Sequence, residues 1–364
     1  MTMEGRERGR AMTANEHCEA LQRALSAFPR VPLAHLPTPM RRLPNFERHL
    51  PGLEIWIKRD DLTGLAGGGN KTRKLEFLVA DALREGADTL VTAGAMQSNH
   101  TRQTAAAAAR HGLKCALLHC AWTEDAGPHY RAVGNVLLSA LMGADLYVDD
   151  TPRAIEGATS LDALVDHLRA CGRRPYLVPP GASEHRLGSF GYAACAAEIV
   201  AQSQALDLRF DFVVHTTGSS STQSGLLVGF TALKQQVRVV GVPDDAETAI
   251  KRQRVLQLAN AALNELGFSD RLDLSAVEIV AGDTSPYGAA DDRTIAAIRL
   301  LAQTEGLLAD PVYEGKAVRG LLDLAARGRF PAGSRILLLH LGGSHAVHAY
   351  ANRFGALPFK SFPG

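Results

Sequence analysis

Apolar and polar positions follow one another in a repeating order along this chain: an apolar run of strand length, a glycine-bearing loop, then a helical pattern. LEIWIK (53–58) reads as a strand leading into RDDLTGLAGGG. After Asn70, the residues Leu75, Leu78, Val79, Ala82 and Leu83 fall at i, i+3, i+4, i+7 and i+8, one face of an amphipathic helix that ends near Gly86. TLVTAGA (89–95) predicts a strand, MQSNH a loop, TRQTAAAAARHG a helix with a glycine stop, and KCALLHC (114–120) a further strand. The rhythm resumes with RPYLVPPG (174–181) and a helix from about Gly191 to Gln204. FDFVVHTT (210–217), GSSSTQSG (218–225), LLVGFTALKQ and VRVVGV form a strand–loop–helix–strand unit, and SRILLLHLGG (334–343) closes the series. Alternating strands and helices predict an α/β protein whose parallel-type sheet is covered by helices on both faces. Such sheets bind ligands at the carboxyl ends of their strands. The loops at 63–70, 94–100, 181–189, 218–225 and 340–345 are therefore the ones to search.

Composition narrows the classes. With 364 residues, 46% hydrophobic and 21% charged, the chain suffices for one large domain or two packed ones. A formal charge of +1 and the lack of a basic run interleaved with aromatics argue against nucleic acid and for a small substrate. No apolar run approaches the ~18 residues of a membrane span, and the first residues are charged where a signal peptide is apolar. A soluble, cytoplasmic protein with no membrane contact is expected. Residues 1 to about 20 read as a loose tail, with a helix from Glu16 to Ala27 as the other reading. Cys18, Cys115, Cys120, Cys171 and Cys195 form no C-x-x-C pair, which suggests free thiols. His340, His345 and His348 have no carboxylate or cysteine at ligand spacing, so no metal site is expected.

The candidate chemistry centres on GLAGGGNKTRKLEF (64–77). From Gly64 the spacing G-x-x-x-x-G reaches Gly69, but Asn70 stands where a phosphate-loop lysine must follow. No G-x-G-x-x-G follows any strand. GSSSTQSG is the better phosphate site: it joins a strand to a helix and offers consecutive N–H groups, hydroxyls and a positive dipole end. The plainer reading is a serine-rich turn with a simple N-cap. Lys71 and Lys74 share a helix face. The helix dipole and each other's charge would lower an amine's pKa there. A neutral lysine beside a separate phosphate cradle suggests a Schiff base to a phosphorylated aldehyde. Two solvated lysines would be the ordinary alternative, but the triple glycine lets backbone approach a ligand closely.

KRDDLTGLAGGGNKTRKLEFL, GAMQSNHTRQTAA, GSSSTQSG, DPVYEGKA and HLGGSHA occur in that order. Together, from about Pro32 to Phe354, they resemble the family of 1-aminocyclopropane-1-carboxylate (ACC) deaminases and D-cysteine desulfhydrases. These are pyridoxal-phosphate enzymes of fold type II. The resemblance implies two parallel-type sheet domains with helices on both faces, a large cofactor-binding one (31–74 and 182–364) and a small one (75–181), with an N-terminal extension (1–30) and a homodimer. It implies that Lys71 carries pyridoxal 5′-phosphate, with Lys74, Gly218, Ser219, Ser220, Ser221 and Thr222 around the phosphate. Asn99 matches the residue on the cofactor's 3′-oxygen, and Glu314, with Leu341 beside it, matches the pyridine-nitrogen position. Ser98 resembles the residue at the substrate carboxylate and reacting carbon. Asn99, His100, Tyr287 and Tyr313 complete the substrate side, both tyrosines being counted as catalytic with Lys71 and Ser98. Ser221 departs from the glycine common in desulfhydrase-like members.

Both chemistries release ammonia and a 2-oxo acid from a small amino acid. Glu314 with Leu341 resembles the deaminase side, since desulfhydrases tend to carry Ser or Thr at both positions. Trp122 and SEH (183–185) point the same way. GLAGGGNKTRKLEFLVADALREGADTL and QSNH resemble the desulfhydrase and L-cysteate sulfo-lyase branch as much. The expectation is an ACC deaminase, with D-cysteine desulfhydrase or L-cysteate sulfo-lyase as the alternative. A dead binding module, or an ATP-dependent protein with a variant loop, is opposed by the joint presence of Lys71, Ser98, Tyr287 and Tyr313.

Overall fold

The computed structural model describes residues 12–121, 129–151, 160–245, 247–280, 285–356 and 358–362. The chain begins with α1 (Ala14–Ser26), β1 (Met40–Arg42), α2 (Pro44–Glu47), β2 (Glu54–Arg59) and α3 (Lys71–Arg84). It continues through β3 (Thr89–Ala95), α4 (Asn99–Arg110), β4 (Lys114–Cys120), α5 (Gly134–Leu141), β5 (Asp145–Asp149), α6 (Ser160–Ala170) and β6 (Pro175–Leu177). Then come α7 (Phe190–Ala205), β7 (Phe212–Thr217), α8 (Ser221–Ala232), β8 (Arg238–Pro243) and α9 (Thr248–Glu265). The last are β9 (Glu278–Ile279), α10 (Asp292–Glu305), α11 (Glu314–Ala326) and β10 (Arg335–His340).

These strands form two sheets, ordered β1-β2-β10-β7-β8-β9 and β5-β4-β3-β6. Every pairing is parallel except β1 with β2. Burial on both faces explains the unbroken apolar runs of the central strands. Val213, Leu337 and Leu339 point into one core; Phe212, Val214, Ile336 and Leu338 point into the core on the opposite face. Two smaller cores flank the second sheet in the same manner, Leu90 and Leu117 on one side, Val91 and Leu118 on the other.

The reading of the first residues as a loose tail is corrected from Ala14 onward. Thr13 and Glu16 form a reciprocal capping box at the start of α1. Leu21 and Leu25 are then buried in the core that α7 and α8 share. Burial of these two leucines stabilises the segment by about 1.5–3 kcal/mol each, enough to hold a helix that is marginal alone. Trp122 lies outside the described residues. No helix among the described residues is long and apolar enough to cross a membrane.

Candidate active site

The loop after β2 folds back because its glycines allow it. Gly68 has φ +78°, and a Cβ there would lie 1.9 Å from the Asp61 carbonyl oxygen. The Asn70 N–H donates to the Leu341 carbonyl (2.9 Å), tying the loop to the end of β10. From α4, Arg102 donates to the Gly68 carbonyl (2.8 Å), and Gln103 accepts from the Thr72 N–H (2.9 Å), one of the amides a helix start leaves open. Lys71 therefore begins α3 at a fixed place.

Arg73 fixes the direction of that first turn. Its guanidinium is fully buried and forks onto Asp60 with two 2.8 Å bonds, then onto Glu198 at 2.9 and 3.1 Å. Asp60 also accepts from Tyr192 (2.6 Å) and Thr38 (2.8 Å), and Lys58 pairs with Glu198. Two cations thus meet two carboxylates, so the buried charge is balanced. Arg73 and Lys58 hold the Asp60 and Glu198 carboxyls below their ordinary range against burial, which acts the other way.

The lysines on either side of Arg73 serve different walls. Lys74 donates to Ser221 Oγ (2.7 Å) and lies 5.9 Å above the Tyr192 ring. Lys71 faces a cavity of about 720 Å³. Burial lowers the Lys71 pKa to about 8, while Asp244, Glu314 and Asp310 work in the opposite direction. Burial also pulls Lys74 well below its usual value, helped by the Lys71 charge. The expected low pKa is present, but its cause differs from the dipole and mutual charge invoked from sequence. Burial dominates, and the cations' repulsion acts on Lys74.

All five glycine-bearing loops reach this cavity. Ser98, Asn99 and His100 line it at the start of α4, where Ser98 is the N-cap and accepts from the Thr101 N–H (3.3 Å). Asn99 Oδ1 is held by Asn135 Nδ2 (2.9 Å). His100 Nε2 meets Thr92 Oγ1 (2.8 Å), and its Nδ1 has no partner. Burial and the two lysines keep this imidazole neutral.

Gly218, Ser219, Ser220 and Thr222 line a second side, with Ser221 behind them under Lys74. Ser220 takes φ +68°, an unusual conformation for a side-chain-bearing residue, and its buried hydroxyl has no partner. Thr217 Oγ1 on the same wall is also unpartnered. Buried hydroxyls without partners, at the amino end of α8 and beside a lysine, fit a phosphate group.

Tyr287, Tyr313, Glu314 and Leu341 complete the enclosure. The two phenols are hydrogen-bonded to each other, ring centroids 5.9 Å apart. Burial opposes phenolate at both. Glu314 opens α11, and its Oε1 is buried without a partner. Burial, then the Asp310 charge, push it well above the ordinary carboxyl range. A buried carboxyl that can hold or release a proton, with an unpartnered oxygen, fits the ring nitrogen of a pyridine.

Two acids here were not anticipated. Asp310 accepts from the N–H groups of Val312 (2.8 Å), Tyr313 (2.8 Å) and Glu314 (3.3 Å), so it shapes the turn that aims Tyr313 and Glu314. An Asp followed by Pro just ahead of a helical pattern is an N-terminus signal that could have found it. Asp244, after β8, carries no such signal. His340 accepts from the Gly342 N–H (3.3 Å) at Nδ1 and meets the Leu308 carbonyl (3.0 Å) at Nε2, which assigns it to loop positioning. Among the described residues no group of three His, Cys, Asp or Glu is placed to hold a metal.

Residues 31–342 match the family described as pyridoxal-phosphate dependent enzyme. The chain is 43% identical over 335 residues to a 1-aminocyclopropane-1-carboxylate deaminase of Methylobacterium nodulans, covering 91% of this chain and 99% of that protein. It is 44% identical over 334 residues to the enzyme of that name from Burkholderia vietnamiensis, covering 91% and 98%. A crystal structure of an ACC deaminase homologue superposes with a TM-score of 0.83 at 35% identity, over 92% of this chain and 98% of that one. O-ureido-L-serine synthase shares the fold alone, with a TM-score of 0.65 at 19% identity over 93% and 96%. The chain belongs to the ACC deaminase family of pyridoxal-phosphate-dependent enzymes, fold type II.

Proposed function

We propose that this enzyme opens the ring of 1-aminocyclopropane-1-carboxylate, releasing ammonia and 2-oxobutanoate, and that it works as a cytoplasmic homodimer. The observation that carries the reading is Glu314, a buried carboxyl with a free Oε1 in the cavity wall and apolar Leu341 beside it. The relatives named as ACC deaminases support the same substrate, and the unbridged cysteines suit a reducing compartment.

Lys71 would carry the cofactor, Lys74 and residues 218–222 would hold its phosphate, and Asn99 would meet its 3′-oxygen. Bound there, pyridoxal phosphate supplies an electron sink for negative charge that develops on the substrate carbon. The amino end of α4, through Ser98 and Asn99, binds the substrate carboxylate, with neutral His100 as a donor or acceptor beside it. Lys71, with a pKa of about 8, can exchange a proton near neutral pH. The hydrogen-bonded phenols can relay a proton, one accepting as the other donates, so that neither is left as the phenolate that burial opposes. Glu314 would meet the pyridine nitrogen and favour its protonated form, which would keep the sink strong.

ACC has no α-hydrogen and no leaving group, so ring opening needs that sink in full. β-Elimination from D-cysteine has both and needs less. The joint Glu314→Thr, Leu341→Thr replacement is therefore expected to lower kcat/KM for ACC by a factor of ten or more, since one pKa unit is about 1.4 kcal/mol. Elimination from D-cysteine persists or rises, judged at saturating cofactor. Equal losses with both substrates, or no loss with ACC, would remove Glu314 as the marker of this chemistry.

A further inference from the structure

We propose that Asp244 is a specificity-determining residue of this cavity, one that disfavours amino acids carrying a second negative charge. The inference rests on the cavity being the amino-acid site proposed above, and not on which small amino acid is turned over.

Asp244 directly follows β8 and is 3% exposed. Its Oδ2 lies where a side chain on Gly218 would stand, 2.2 Å from the position of a Cβ there. The absence of a side chain at Gly218 therefore gives the carboxylate its place beside the serine loop. Asp244 shares the cavity wall with Asp245, Glu247, Lys251 and Arg254. From the first turns of α9, the Lys251 ammonium reaches Asp244 Oδ1 at 3.0 Å and also pairs with Asp245. Lys316 donates to the backbone carbonyl of Asp244 (2.7 Å), and Arg254 is engaged by Glu184 (3.2 Å). Two ammonium groups, Lys251 and Lys316, thus face the three carboxylates of Asp244, Asp245 and Glu247, and the wall keeps a negative balance. Burial pushes the Asp244 carboxyl up, and the two ammoniums work against that rise to keep it ionised.

That charge is felt inside. Among the charged groups acting on Lys71 and on Tyr313, Asp244 is the foremost: it favours the Lys71 ammonium and opposes a Tyr313 phenolate. A bound amino acid presents one carboxylate to the start of α4 and turns its remainder toward the tyrosines and Asp244. A ring methylene or a thiol meets no penalty there. A sulfonate or second carboxylate would face a like charge where water is largely excluded and screening is weak. On this ground ACC and D-cysteine suit the cavity, and L-cysteate does not.

The test uses holoenzyme and two probes, racemic alanine and racemic aspartate, titrated calorimetrically so that no turnover is required. Wild type is expected to bind alanine at least tenfold more tightly than aspartate. Asp244→Asn, which keeps the shape and removes the charge, should shrink that ratio at least tenfold while cofactor affinity holds or tightens. Lys251→Arg keeps a cation against the Asp244 carboxylate, so the ratio should stay near that of wild type. Wild type preferring aspartate, a ratio within twofold of wild type in Asp244→Asn, or an equal collapse in Lys251→Arg would each overturn the assignment. A wild type that fails to open ACC yet shows the predicted ratios would count against the proposed substrate and leave the role of Asp244 standing.

Discussion

Lys71 shows what a residue's surroundings add to its identity. A lysine in water ionises near 10.5; here burial brings it to about 8. Only the neutral amine attacks a carbonyl, and its fraction rises with pH through the pKa and levels off above it. The rate at which apoprotein takes up pyridoxal phosphate should therefore climb with pH and level off just above 8. A rate still climbing in proportion through pH 10 would contradict the burial. Lys71→Ala should fold, lose turnover and lose the visible absorbance of bound cofactor, and borohydride should trap the cofactor on Lys71 in wild type. Trapping on Lys74 would reverse the assignment. The lysine pair and the serine loop could be singled out from short motifs with their own chemistry, whereas the tyrosines came only from the family resemblance; all of them meet at the cavity. Asp244 was not legible, because its meaning comes from Gly218 and Lys251 rather than from its sequence neighbours.

Among the elements, α3 bears the most on the site, and Arg73 is its anchor. Removing one partner from a balanced buried network leaves a charge unanswered, at a cost of about 3–5 kcal/mol. Arg73→Met should lower stability by that amount in denaturant unfolding; a loss under 1 kcal/mol would show that the helix is held by other contacts. The network also sets a pH signature. Asp60 and Glu198 have lowered pKa values, so they contribute stability above their ordinary values of 3.8 and 4.5 and lose it as pH falls through the folded ones. Asp60→Asn should flatten the dependence of stability on pH below about 4, and an unchanged slope would contradict the pairing. Periodicity identified α3, α4, α7 and the central strands, since each buries a face over many residues. It could not pair Arg73 with Glu198, which lies 125 residues away. It also passed over β1, whose three residues Met-Arg-Arg carry no apolar alternation and which is the single antiparallel strand among the described residues.

At the scale of the molecule, two mainly parallel sheets bring the carboxyl ends of their strands to one cavity. Alternation of strands and helices made the α/β class legible and marked the five loops that meet there. The division into two sheets followed from the family resemblance instead, because a hydrophobic pattern says that a strand is buried and not which neighbours bury it. The proposed homodimer should give a mass in solution of twice 38.9 kDa by light scattering, and a single-chain mass at working concentration would refute it. The central claim is ring opening. It is tested most directly by supplying purified holoenzyme with ACC, D-cysteine and L-cysteate side by side and measuring ammonia with the identity of the 2-oxo acid. The account predicts 2-oxobutanoate from ACC with the highest kcat/KM of the three and no turnover of L-cysteate. Pyruvate from D-cysteine or L-cysteate, with ACC left intact, would contradict it.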